Sequence, residues 1–322
     1  MVRLPLVLAV LMAACAGGPA ASGGSGSPTS SPGPSGSHGA TACGAPSSSY
    51  AGWPAAAPDL VPILVSSELA VGPNRFLFAL TDARNKLIAA PDLPVRVAFY
   101  DLAADPARPT QTVDASFLWT IEGELGLYRA TVPFPCSGDW GAEIRTAPAG
   151  GTPATVRVVF SVRPESATPA IGSAVPASDT PTAADAAGLR AISTDRRPDP
   201  DFYRRSVREA LAAGQPFVLV FATPAFCASR TCGPALEIVK QVAPAYKDRV
   251  TFIHVEPYRL AMVDGALQPE GGRLQVAPIA TEWGLPTEPY IFVVGRDGRL
   301  AAKFEGVAGA DELRAAIEQA AR

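Results

Sequence analysis

Two cysteines five positions apart, Cys227 and Cys232, are the residues in this chain best suited to chemistry. They lie in the segment Ala222–Pro234, between an apolar run, Phe217–Ala222, and a stretch with Leu236, Val239 and Val242 on one helical face. A thiol at a helix N-terminus meets unpaired N–H groups and the positive end of the helix dipole. Both favour the thiolate, which is the nucleophilic form. Arg230, between the cysteines, adds charge of the same sign. Positions five apart on a regular helix do not face each other. Cys227 must therefore sit in the loop before the helix, or the first turn must unwind on oxidation. By position Cys227 would attack and Cys232 resolve. Cys232-Gly-Pro could instead begin the motif and reverse those roles. A purely structural disulfide is the plain alternative.

Other candidates surround this pair. His254 lies in the apolar run Val250–Val255 and would either transfer a proton at Cys232 or be a core histidine bonded to a backbone carbonyl. The chain has two histidines, His38 and His254. A multi-histidine metal centre is thereby excluded, and a Ser-His-Asp triad would have to use one of them. Glu288, before Pro289, would raise a nearby thiol pKa and favour basic or polar partners. Otherwise it is a solvated loop charge. Cys43 and Cys136 would form a disulfide, or Cys136 would be buried as a small hydrophobe.

With 322 residues and 48% hydrophobic content, the chain is long enough for two domains. A net charge of -3 and no basic stripe argue against nucleic acid as a partner. Residues 1–14 read as an export signal, with Arg3 before the apolar run Leu4–Ala14. The ending Leu11-Met-Ala-Ala-Cys15 resembles the lipobox of bacterial lipoproteins, which implies lipidation of Cys15 and anchoring to the cell membrane. An ordinary cleaved signal with a spare cysteine is the alternative. Export places the chain outside the cytoplasm, where thiols tend to oxidise. Removing Cys15 leaves four of the five cysteines, enough for two disulfides. Residues 15–55, rich in Gly, Ser, Pro and Ala, read as a disordered tether.

Residues 56–163 hold short alternating runs at Arg75–Leu80, Val95–Tyr100, Leu127–Val132, Trp140–Ile144 and Val156–Val162. This pattern predicts an all-β, immunoglobulin-like sandwich. Gly126–Val132 followed by Ser137–Trp140 loosely resembles YtkA-like or FixH-like sandwiches. Residues 164–188 read as a linker. From 189 to 322, helical and strand patterns alternate. A helix is predicted over Asp201–Ala213, and Asp297-Gly298 predicts a hairpin turn.

Residues 189–322 resemble the thioredoxin family in this order of elements, in the cysteine segment and in Ala280–Tyr290. The resemblance implies an α/β thioredoxin-like fold, a cis Pro289, and thiol–disulfide exchange with exported proteins or another redox partner. A cis Pro289 would leave the Glu288 backbone free to pair with a peptide and would exclude a metal-binding backbone geometry beside the sulfurs. The chain departs from the family in having four residues between the cysteines. Phe221 stands where the family has an aspartate, and His254 stands where it has a lysine. No cofactor is implied. Three other readings stay open. One is a Cu(I) module using both thiolates and His254, as Sco-type copper chaperones use a cysteine pair and a histidine. The second is a peroxidase. The third is a non-catalytic binding protein.

Overall fold

The computed structural model describes residues 41–57, 59–147 and 152–322. Cys15 and His38, with the signal and most of the tether, lie outside the described residues. The first half contains seven strands: β1 (Val61–Leu64), β2 (Gly72–Thr81), β3 (Val95–Asp101), β4 (Gln111–Ile121), β5 (Leu125–Phe134), β6 (Gly138–Thr146) and β7 (Ala154–Val162). They form one antiparallel sheet in the order β1-β2-β5-β4-β3-β6-β7. Inward residues recur every second position, as the pleat requires. Phe76, Phe78 and Leu80, then Val95, Val97 and Phe99, then Ala130, Val132 and Phe134 meet Trp140 and Phe160 in a single core. Aromatic rings interlock there, with Phe76–Phe99 centroids 5.2 Å apart and Phe134–Trp140 4.8 Å apart.

The expected sandwich of two separate sheets is corrected by β4. Its first five residues pair with β3, and its later residues pair with β5. One strand thus carries the hydrogen-bond ladder round the corner, and the sheet curls instead of breaking in two. Backbone bonds from Val71 to Arg163 (3.0 Å) and from Arg163 to Leu69 (2.8 Å) bring its far edges together. The result is a nearly closed barrel, and the resemblance to YtkA-like or FixH-like sandwiches is set aside with the two-sheet arrangement.

Residues 41–55, the described part of the expected tether, are packed on this barrel with the two residues that follow. Cys43 is bonded to Cys136, with Cα atoms 5.0 Å apart. Trp53 is buried with Ala98, Tyr100 and Leu102 on the outer face of the sheet, and its Nε1 donates to the Pro106 carbonyl at 2.9 Å. Gly141 permits this approach, since a Cβ there would come within 2.6 Å of the Trp53 ring.

The second half contains α1 (Ala186–Ile192), α2 (Val207–Ala212), β8 (Phe217–Phe221), α3 (Cys232–Val242), β9 (Thr251–Val255), β10 (Leu260–Val263), β11 (Ala266–Pro269), α4 (Pro278–Glu282), β12 (Tyr290–Val294), β13 (Leu300–Glu305) and α5 (Ala310–Ala320). A four-stranded sheet runs β13-β12-β8-β9, and β10-β11 form a separate hairpin. Every residue of β8 is buried. Val218 and Val220 face α3 and α5, whereas Phe217, Leu219 and Phe221 face Trp283 and α2. That explains the uninterrupted apolar run, since a strand covered on both faces has no solvent side.

The expected α/β thioredoxin-type fold is likewise corrected. The described chain is mainly β, with thirteen strands against five α-helices of at most 11 residues. Its largest sheet is antiparallel, and only β8 and β9 pair in parallel. The helix predicted over Asp201–Ala213 is a 3-10 turn, Pro200–Tyr203, followed by the short α2. Ser206 divides them, because its side chain accepts the Glu209 N–H and starts a fresh N-terminus. The hairpin β10–β11 was not anticipated. Its turn, Asp264-Gly265, has positive φ at both positions, a conformation glycine adopts without strain.

Residues 164–188 run along β13. Gly172 N–H donates to the Leu300 carbonyl at 2.7 Å, and Ser178 and Thr180 are buried. The barrel meets the second half through a charge cluster. Arg75 grips Glu312 with two bonds, Nε to Oε1 at 3.0 Å and Nη2 to Oε2 at 2.9 Å. Its Nη1 reaches the Glu305 carbonyl at 3.0 Å, and Arg129 approaches the same Glu312 carboxylate. Burial, and then the neighbouring Arg129, lower the Arg75 pKa. Glu312→Ala would leave two largely buried guanidinium groups without their carboxylate. Denaturant unfolding should show a loss of about 3 kcal/mol. A loss well under about 1 kcal/mol would show that the cluster does not hold the halves together.

Candidate functional site

β8 ends at Phe221, and α3 begins eleven residues later with Cys232 as its first residue. The loop between them is built from two turns. Phe226 N–H donates to the Thr223 carbonyl at 3.2 Å, and Arg230 N–H to the Cys227 carbonyl at 3.3 Å. Arg230 has φ +63°, which reverses the chain just before the helix. Cys227 therefore sits in the loop and returns to the helix terminus. The two cysteines form a disulfide, with Cα atoms 6.0 Å apart.

The two sulfurs stand in different surroundings. Cys232 is fully buried, and Cys227 is partly exposed. The Cys232 N–H points at Cys227 Sγ, 3.2 Å away. Ser229 Oγ also lies 3.2 Å from that sulfur and 2.7 Å from Thr231 Oγ1. Hydrogen-bonding groups thus converge on Cys227 at the edge of the apolar core, whereas Cys232 is a buried member of that core, with Leu236, Val239 and Leu313.

The Glu288–Pro289 peptide bond is cis. The Glu288 carboxylate comes within 4.8 Å of both sulfurs. Tyr258 Oη donates to Glu288 Oε2 at 2.8 Å, and its own pKa is pushed up to about 12 by burial first and then by this carboxylate. Arg230 turns away from the pair and bonds Glu124 of the barrel at 2.9 Å. Both partners of that bond are largely exposed, so solvent screens it.

His254 is not bonded to either cysteine. Its Nε2 lies 3.0 Å from the Ala222 carbonyl, and its Nδ1 lies 2.6 Å from Tyr203 Oη. A carbonyl only accepts, so Nε2 carries the proton and Nδ1 accepts from the tyrosine. The imidazole is completely buried, and that burial lowers its pKa below 6.5. Both ring nitrogens are thus engaged within the core, one by a backbone carbonyl and one by a tyrosine.

Beneath the loop lies a polar support that sequence reasoning missed. Glu256 follows β9, and its Oε1 accepts from both Thr194 N and Thr194 Oγ1 at 2.7 Å. Thr194 Oγ1 in turn accepts the Ala225 N–H at 3.2 Å. A glutamate directly after an apolar strand and before Pro257 was the available signal. Tyr258, two residues on, gave none.

No family model matches the chain, and no curated protein matches it. Among solved structures, the chain is similar to the soluble domain of PmoD from Methylocystis sp. (Rockwell). The TM-score is 0.21 and the identity 15%, over 33% of this chain and 94% of that one. A likeness of that size carries no argument about fold or function.

The His254 geometry has a pH consequence. The unfolded chain takes up a proton below about pH 6.5, which the buried neutral imidazole refuses. Unfolded chains then bind more protons, so stability falls as pH falls through that value, by at most about 1.4 kcal/mol per unit. Urea midpoints measured from pH 7.5 to 5 should show this slope flattened in His254→Asn. An unchanged slope would remove His254 from the account.

Proposed function

We propose that this protein is an extracytoplasmic thiol–disulfide oxidoreductase working through Cys227 and Cys232. The observation that carries the reading is the asymmetry of the pair. The reachable sulfur, Cys227, receives the first N–H of an 11-residue helix, whereas the other sulfur is sealed in the core. A thiolate formed at Cys227 would thus be both stabilised and accessible. Two closed disulfides fit an oxidising compartment outside the cytoplasm. Among the described residues no helix is long and apolar enough to cross a membrane. Anchoring would fall to a lipid on Cys15.

The exchange balances as two displacements. A partner thiolate attacks Cys227 Sγ, the Cys227–Cys232 bond breaks, and Cys232 leaves as a thiolate that takes up a proton. A second partner thiolate then attacks the partner's sulfur in the mixed disulfide and releases Cys227. The partner has become a disulfide, and this pair a dithiol. The same path in reverse reduces a partner, and the direction follows the relative potentials. Partners approaching Cys227 also meet the Glu288 carboxylate, which supports basic or polar groups beside their cysteines. A Cu(I) site that includes His254 gains no support, since both ring nitrogens are engaged elsewhere.

The test is the midpoint potential of Cys227/Cys232 in the full chain, by thiol trapping in glutathione buffers. Peptide mass spectrometry would follow this pair separately from Cys43–Cys136. A reversible couple between about -120 and -270 mV is expected. A bond that stays closed below about -300 mV would make it a structural staple.

A further inference from the structure

We infer that the reduced Cys227/Cys232 pair, together with Glu288, forms a zinc-class divalent cation site that opens and closes with the redox state. The inference rests on the reading that this disulfide is reducible. One donor atom from each of the three residues already lies within 4.8 Å of the others. Tetrahedral zinc bound by sulfur at about 2.3 Å and oxygen at about 2.1 Å holds its ligands roughly 3.5–3.8 Å apart. On reduction the two sulfurs, now bonded to each other, must part to about 3.8 Å, and the Glu288 oxygen must close by about 1 Å. Cys227 and Glu288 are partly exposed and stand on loops, so they can supply that movement, whereas Cys232 is the fixed member.

The donor set decides the class of ion. Two thiolates alone suit Cu(I), and an added carboxylate moves the preference toward a borderline ion that accepts both sulfur and oxygen. The cis Pro289 bars a ligand from the backbone there, so the third ligand is a side chain, that of Glu288 before it. Tyr258 holds Glu288 Oε2 at 2.8 Å, and no other hydrogen bond to this carboxylate exists among the described residues. Its second oxygen is left for the ion, oriented by the tyrosine as an outer partner. With three protein ligands, the fourth position falls on the exposed Cys227 side and would be filled by water.

Oxidation abolishes the site, because a disulfide offers no thiolate. Reduction by a partner dithiol delivers two electrons and two protons to the pair and leaves the partner as a disulfide. Binding of the cation then releases both thiol protons. An ion that binds only the reduced form makes the pair easier to reduce. Each tenfold rise in free zinc above its dissociation constant should raise the midpoint potential by about 30 mV.

The experiment uses the full chain carrying Cys15→Ser, reduced, desalted, and titrated with Zn²⁺ against a chromophoric chelator. Co²⁺ serves as the spectroscopic probe. The expected result is one ion per reduced chain, none per oxidised chain, and a thiolate-to-cobalt charge-transfer band. Cys227→Ser and Cys232→Ser should abolish binding. Glu288→Gln should weaken it by about 10- to 100-fold, and Tyr258→Phe by about 10-fold, both with an unchanged thiol count. The barrel cysteines Cys43 and Cys136, with Asp101, form a second trio of donors. Binding must therefore survive Cys43→Ser/Cys136→Ser. Loss in that double variant, or no effect of Glu288→Gln, overturns the assignment. Thiols that open but hold no zinc overturn the cation site and leave the oxidoreductase standing. A pair that will not open overturns both.

Discussion

Glu312 is the carboxylate on which the joined structure depends. It lies in the first turn of α5, where an acidic side chain complements the helix terminus, and it accepts the Gly309 N–H at 2.8 Å. The same group receives the fork of Arg75 from β2 and the approach of Arg129 from β5. A carboxylate offers about four acceptor sites, and here they are shared between the helix and the barrel. Side chains this deep would be costly without one another. Glu305, on β13, completes the contact by accepting the Ser67 N–H at 2.9 and 3.0 Å. The Arg230–Glu124 pair then bridges the same two halves beside the cysteines, in a geometry the buried cluster has already set.

The cysteine loop solves a spacing problem by backbone conformation. Cysteines five apart cannot meet along one helix face, so one must leave the helix. A left-handed Arg230 supplies the reversal, and the turn at Cys227–Arg230 supplies the return. Support comes from below, where Glu256 and Thr194 hold the Ala225 N–H. Among the described residues, the other Glu256 oxygen and the Thr223 hydroxyl are buried there without a protein partner.

Much of the second half was legible in the residues. Phe217–Ala222 and Val250–Val255 read as buried strands because each is a short, mainly apolar run, and Asp297-Gly298 marked the hairpin that follows Tyr290–Val294. The barrel was only partly legible. β4 interleaves Val113, Ala115 and Phe117 with Thr112, Asp114 and Ser116, and its half-buried residues give a weak signal. Yet β4 decides between two sheets and one, so missing it misassigned the architecture. The helix–strand alternation after residue 189 suggested an α/β class, because pattern reading weighs order and not the balance of the whole chain. Residues 41–55 read as part of the tether for a different reason. Their apolar side chains are mostly alanines, and their placement rests on one disulfide and on Trp53 lying over Gly141. The cysteine pair was visible from spacing. The nearness of Glu288 to both sulfurs arises only in the folded chain.

The Cys43–Cys136 bond also sets a route for mechanical load. It links a residue near the start of the described chain to one 93 positions later, in the turn between β5 and β6. Tension applied to the chain before Thr41 would enter the barrel at that covalent junction. Ninety-two intervening residues, including β1 to β5, would carry none of it as a series element, and the strands could not be peeled off from this end one by one. A pull on the N-terminal side would thus pass to β6 and β7 first, and the ladder from β1 to β5 would be bypassed.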